Sequence, residues 1–292
     1  MMAVGAFNQV HSSLRWFVAN IGGITDWRAT LLRIAAFRYA LTTTDALHAV
    51  EKQIDFEKSG RNEIVLQDVE VASPSGCTKI RERNVTIAAG KRVLVTGEPG
   101  TGKTLLFRAM AGLWPWGAGR IGLPAGETVT FVPRTPYFPP GTLRQAMSYP
   151  FSESAFDRAD VEGALERAGL GRLAPSLDRS SRWDRELGDE EQRSLAFARL
   201  DLHKPEWVVV DEALDTLEGD ARARALSVLE KRLEGAAIVY IGRGDRTGSL
   251  FPRTLHLEKD ENGRCLQPMR MPAPAARNDL KDRKSVGPRG DR

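Results

Sequence analysis

Gly97-Glu98-Pro99-Gly100-Thr101-Gly102-Lys103-Thr104 is the stretch of this 292-residue sequence with the most specific chemistry. Its glycines let the backbone curl so that N–H groups point inward, where phosphate oxygens can sit. Lys103 supplies a cation for the β- and γ-phosphates, and the Thr104 hydroxyl is of the type that holds Mg2+. A glycine-rich turn with a chance Lys-Thr would not come with flanking elements. Here the apolar run Val93-Leu94-Val95 precedes the loop and a helix-like run from Thr104 to Ala111 follows it. The expected ligand is ATP with Mg2+.

A second constellation lies near residue 211. Four large apolar residues, Trp207 to Val210, lead into Asp211-Glu212. A buried strand ending in two carboxylates is costly unless they serve a ligand. Asp211 is expected to anchor Mg2+ together with Thr104. Glu212 is placed to orient or polarise an attacking water.

Both constellations need a sheet to hold them. Val93 to Val95, Val129 to Val132, Trp207 to Val210 and Ile238 to Ile241 read as buried strands, with helix-like segments between several of them. Nearly continuous apolar strands alternating with helices imply an α/β fold whose parallel sheet is covered on both faces. This pattern occupies about residues 62–262. Residues 1–57 read as a helical arm. Asp26 can cap a helix beginning at Trp27, whose residues Trp27, Leu31, Ile34 and Leu41 share one side, and a second short helix runs from Asp45 to about Lys52. Residues 263–292 are rich in Pro, Arg, Asp and Gly and are expected to form a mobile tail.

Composition narrows the classes. The net charge is +4, and much of it comes from basic residues in the C-terminal segment. No basic face interleaved with aromatics is evident, so nucleic acid is not an expected partner. Cys77 and Cys265 are the two cysteines, too few and too far apart for a disulfide framework, and are expected to be free thiols. No run of about 18 apolar residues signals a transmembrane helix. Asn8, Gln9, His11 and Arg15 interrupt the N-terminal segment, so it does not read as a signal peptide.

Residues between the two motifs carry a family resemblance. Leu195-Ala196-Phe197-Ala198-Arg199, followed by His203-Lys204-Pro205-Glu206-Trp207, resembles the segment joining the signature helix to the second acidic motif of ABC transporter ATPases. Ala111-Gly112-Leu113-Trp114-Pro115 and Pro136-Tyr137-Phe138-Pro139-Pro140-Gly141-Thr142-Leu143-Arg144 resemble one branch. That branch holds bacterial permease–ATPase fusions related to the peroxisomal fatty-acyl (subfamily D) transporters and to SbmA/BacA-type importers. The likeness runs over about residues 5–268. It implies a P-loop NTPase core of ABC type, with a parallel sheet, an antiparallel β layer at about residues 63–88, and a helical signature subdomain at about residues 140–203. It also implies that Ala6 to Phe37 correspond to the end of the last permease helix and its cytoplasmic extension.

The resemblance further implies two such domains, as a homo- or hetero-dimer, closing around ATP beneath a transmembrane permease at the cytoplasmic face of the inner membrane. One copy supplies the phosphate loop and the acidic pair. The other supplies a glycine-rich signature, which corresponds here to Gly188, Asp189, Glu190, Glu191 and Gln192. The usual serine is Gly188 and the second glycine is Glu190. Arg134 stands at the family's Q-loop glutamine and Arg243 at its switch histidine, so both are expected at the nucleotide. Acids suit a helix N-terminus but not a neighbouring phosphate. Two expectations follow: the arginines compensate the acids across the dimer, or the chain binds ATP and hydrolyses it poorly. A soluble P-loop protein with no membrane role is disfavoured, because neither a long coiled-coil insertion nor a tandem ATPase domain is present.

Overall fold

A computed structural model of the chain describes residues 2–50, 53–73, 76–126, 128–244 and 250–260. The expected tail at 263–292, Cys265 and Lys52 lie outside the described residues. The chain divides into two units near residue 46.

The first unit is described as helix α1 (Met2–Val50). The expected break at Asp26 does not occur. Asp26 lies inside α1, where its carbonyl accepts a hydrogen bond from Thr30 Oγ1 at 2.9 Å. The reason is local: a side chain caps a helix only where the residues before it leave the helix, and the segment before Asp26 contains no proline to force that. For the same reason no separate helix begins at Asp45. Trp27, Leu31, Ile34 and Leu41 stay exposed. Among the described residues no helix is long and apolar enough to cross a membrane.

The second unit is built on strands β1 (Asp55–Ser59), β2 (Glu63–Ser73), β3 (Gly76–Ile80), β4 (Asn84–Ala88), β5 (Arg92–Thr96), β6 (Gly117–Pro124), β7 (Val129–Val132), β8 (Gly141–Thr142), β9 (Ser180–Ser181), β10 (Trp207–Asp211), β11 (Ala237–Ile241) and β12 (Arg253–Asp260). Its helices are α2 (Lys103–Met110), α3 (Leu143–Ser148), α4 (Arg158–Arg167), α5 (Trp183–Glu186), α6 (Asp189–His203) and α7 (Gly219–Ser227). The main sheet runs β1-β6-β2-β3-β12-β5-β11-β10-β7. From β12 to β7 the neighbours are parallel. β12 also pairs antiparallel with β3, so this one strand joins the parallel core to an antiparallel layer. β2 pairs antiparallel with β3, β4 and β6.

Every residue of β10 and β11 is buried, as strands covered on both faces require. Their side chains alternate. Trp207 and Val209 enter one apolar cluster with Leu106 and Met110 of α2, while Val208 and Val210 enter a second with Phe197 and Leu200 of α6. Helices α3 to α6 enclose a third cluster that includes Leu143, Met147, Leu165 and Trp183. The architecture is the α/β core with antiparallel layer and helical part expected from the sequence.

β1, β6 and β12 were not foreseen. The glycines of β6 are what allow it to pair. A Cβ on Gly119 would sit 2.2 Å from the Asp68 carbonyl oxygen, and the residue has φ of +89°. Glycine inside a strand marks such close backbone approach.

Candidate nucleotide site

The loop 97–104 runs from the C-terminal end of β5 to the first turn of α2, at the carboxyl edge of the parallel sheet. Open parallel sheets bind ligands at that edge. Gly100 and Gly102 have φ of +83° and +91°. Thr101 Oγ1 donates to the Glu98 carbonyl at 2.8 Å, and Thr78 Oγ1 donates to the Thr101 carbonyl at 2.7 Å. Thr78 thus ties the loop to the antiparallel layer. A Cβ at position 102 would meet Thr78 Oγ1 at 2.3 Å. Gly102→Ala therefore combines a left-handed backbone with a clash and is expected to cost about 1–3 kcal/mol. A thermal unfolding scan of the variant checks this.

Lys103 is buried, and its Nζ donates to the carbonyls of Gly97 at 3.0 Å and Glu98 at 3.3 Å. The same Nζ lies 3.7 Å from Glu212 Oε1. Arg134, just beyond β7, places its guanidinium 3.5 Å from Glu212 Oε2. Gly97, Pro99, Gly100, Lys103, Arg134, Glu212 and Arg243 line one cavity of about 440 Å3. The structure thus brings together the phosphate loop, Glu212 of the acidic pair and both arginines. Three cations against one carboxylate make this cavity suited to a polyanion.

Asp211 ends β10 with almost no exposure. Burial pushes its carboxyl up from 3.8 to about 6, with the Thr104 hydrogen bond opposing and Glu212 reinforcing the rise. Its Oδ1 is buried without a hydrogen-bond partner. A bare buried carboxylate oxygen beside a threonine hydroxyl is a fitting place for Mg2+, which takes few protein oxygens and keeps the rest of its shell for water and phosphate.

The raised value has a stability consequence. An acid whose folded pKa lies above its unfolded pKa costs the fold nothing below the unfolded value. The penalty grows as pH rises and is complete above the folded value, here about 6. Without Mg2+, Asp211→Asn is expected to gain roughly 2 kcal/mol at pH 7.5 and almost nothing at pH 3.5. Urea unfolding at the two pH values measures it.

Glu212 adopts φ of +48°, and its N–H donates to the Ile241 carbonyl at 2.8 Å. A left-handed non-glycine residue is uncommon and costs energy. This one turns the carboxylate toward the loop. Arg243 follows β11, and its N–H donates to Asp215 Oδ2 at 3.0 Å. The Tyr240 hydroxyl donates to Asp215 Oδ1 at 2.6 Å. Burial raises the Asp215 pKa, and the Tyr240 pKa is raised by burial and then by Asp215. Thr78, Asp215 and Tyr240 escape sequence reasoning. Asp215 stands three residues beyond Glu212, which is the one available signal, whereas a tyrosine inside an apolar strand reads as core.

The expected signature residues lie elsewhere. Gly188 precedes α6, and its N–H donates to Glu191 Oε2 at 3.1 Å. Glycine has no side chain to return the bond, so only half of a capping box exists. Glu191 also pairs with Arg172. Asp189 and Glu190 are exposed. Gln192 is buried, with its amide donating to the Asp184 and Leu187 carbonyls at 3.0 and 2.9 Å. None of residues 188–192 lines the cavity around Lys103.

Residues 80–215 match the family model described as ABC transporter. The chain carries an ABC-transporter ATP-binding domain. Over 196 residues it is 32% identical to an uncharacterized ABC transporter ATP-binding protein of Haemophilus influenzae, covering 67% of this chain and 33% of that protein. It is 26% identical over 236 residues to the inner membrane ABC transporter ATP-binding protein YddA of Escherichia coli, covering 81% and 40%. It is 31% identical over 187 residues to human ATP-binding cassette sub-family D member 3, covering 59% and 28%. The chain spans about a third of the length of these curated relatives. A solved bacterial Atm1-family ABC exporter with ATP bound shares the fold, with a TM-score of 0.55 at 20% identity, over 72% of this chain and 39% of that one. Arg134 and Arg243, two of the positions expected from the sequence to differ from the family pattern, line the same cavity as Lys103.

Proposed function

We propose that this ABC domain binds Mg-ATP at the loop 97–104 and hydrolyses it as one of two such domains that drive a membrane permease. The observation that carries the reading is the cavity in which Lys103, Arg134, Arg243 and Glu212 converge on the phosphate loop. Lys103 and the two arginines would bind the β- and γ-phosphates. Thr104 and Asp211 would hold Mg2+, which when bound neutralises phosphate charge and bridges phosphate oxygens. Glu212 would accept a hydrogen bond from the attacking water and take its proton. Gly188 to Gln192, at the start of α6, would face the nucleotide of a partner domain.

Three features support a permease partner at the cytoplasmic face of the inner membrane. YddA is named as an inner membrane ABC transporter protein. Tyr137, Tyr149 and Phe151 are exposed, and the two tyrosine rings pack edge to face at 5.8 Å. Helix α1 presents Trp16, Trp27, Leu32 and Phe37 without cover. We assign α1 to the extension of a permease helix, residues 62–262 to the ATP-binding domain and about 140–203 to its helical subdomain.

A second reading is favoured by the acids on α6. Asp189 and Glu190 are exposed at the helix N-terminus and would repel a partner's phosphates. On that reading the chain binds ATP and pairs with a more active copy while hydrolysing little. Steady-state hydrolysis of the purified chain beside Lys103→Ala and Glu212→Gln separates the two. Turnover that falls in both variants supports the first reading. Tight binding lost in Lys103→Ala, with wild-type turnover no higher than in Glu212→Gln, supports the second. Failure to bind Mg-ATP overturns both.

A further inference from the structure

Among the described residues, two cations lie within 4 Å of the Glu212 carboxylate: Lys103 at Oε1 and Arg134 at Oε2. The two partners differ in freedom. Lys103 is buried and donates to two loop carbonyls, whereas the Arg134 side chain is 58% exposed. Glu212 is itself restrained, because its backbone is pinned to the Ile241 carbonyl in a left-handed conformation. Of the three groups, Arg134 is the one that can change partner without moving the sheet. It also lines the cavity beside Pro99 and Gly100.

We propose that Arg134 is a positioning residue shared between Glu212 and the terminal phosphate of a nucleoside triphosphate, so that the third phosphate draws the guanidinium off Oε2 and a diphosphate does not. The inference rests on the ATP-binding reading of this site. A guanidinium presents a planar fork of N–H donors that fits a phosphate at two points. A terminal phosphate carries more negative charge than a carboxylate, and both compete for the same half-exposed cation. With the Arg134 guanidinium 3.5 Å from Oε2, it stands in one of the directions from which a water molecule can approach that oxygen, and with Arg134 on the phosphate that direction is open. The availability of the base is then tied to the presence of the group to be removed. A glutamine at this position, as in the family pattern, forms no ion pair with Glu212, so the device belongs to this sequence.

The prediction is an energetic coupling between Arg134 and Glu212 that appears with a triphosphate and is absent with a diphosphate. Isothermal titration of wild type, Arg134→Gln, Glu212→Gln and the double variant measures it. The probes are the Mg2+ complexes of ADP and of the β,γ-imido analogue of ATP, at protein concentrations shown by sedimentation to be monomeric. Removing the competing carboxylate in Glu212→Gln is expected to tighten the triphosphate analogue about fivefold and to leave ADP within about twofold. In the Arg134→Gln background the same Glu212→Gln change is expected to have no effect on the analogue. An equal gain in both backgrounds, or an equal gain for ADP, overturns the clamp while leaving the binding site intact. If Lys103→Ala binds both probes as wild type does, the ATP-site reading fails and the clamp fails with it.

Discussion

Lys103→Ala is expected to weaken Mg-ATP binding by about a hundredfold or more. Each charge-assisted hydrogen bond contributes about 1.5–3 kcal/mol, and an ammonium between two phosphates makes at least two. The size of the effect follows from how Lys103 is held. Its side chain is only 9% exposed and is poised by two loop carbonyls, so little ordering remains for it to do when phosphate arrives. The variant also removes one of the two cations beside Glu212. Its folding therefore needs a parallel thermal scan, and a nucleotide defect at unchanged melting temperature is the expected pattern. Binding that survives the substitution would mean that the loop is not the phosphate site.

Glu212→Gln is expected to lower turnover by about a hundredfold to ten-thousandfold while ATP binding is kept or tightened, as removal of a general base does. The amide preserves shape and hydrogen bonding to water but cannot take the proton. The left-handed backbone at residue 212 is unchanged by the swap, so fold stability should move little. A parallel fall in affinity would point to a role in positioning the loop instead. Equal turnover in wild type and variant, with binding intact, is the outcome that favours the hydrolysis-impaired reading.

The parts of the site most legible in the sequence are those encoded by contiguous residues. Gly97 to Thr104 and the run Trp207 to Glu212 announce themselves because loop curvature and strand burial depend on neighbours in the chain. The continuous apolar residues of β5, β10 and β11 give the parallel core for the same reason. What pairs across loops is not legible. Arg134 is expected at the nucleotide only through the family resemblance, and nothing local says that its partner is a carboxylate of its own chain. One of the two expectations drawn from the sequence pairs both arginines with acids of a second copy. The glycines of β6 have no evident reason until the opposing Asp68 backbone is known. Asp26 looks like a cap because its type is right, although nothing upstream ends the helix.

Helix α6 has two apolar faces, and this has a mechanical consequence. Ala196, Phe197 and Leu200 pack toward Val208 and Val210, while Leu195, Ala198 and Leu202 pack among the other helices. The fully buried Asp201 carboxylate grips Arg167 and Arg232, both at 2.5 Å, and so bolts α6 to α4 and to the segment before β11. A push on the helical side is therefore expected to pass through α6 to the strand it covers, which ends in Asp211.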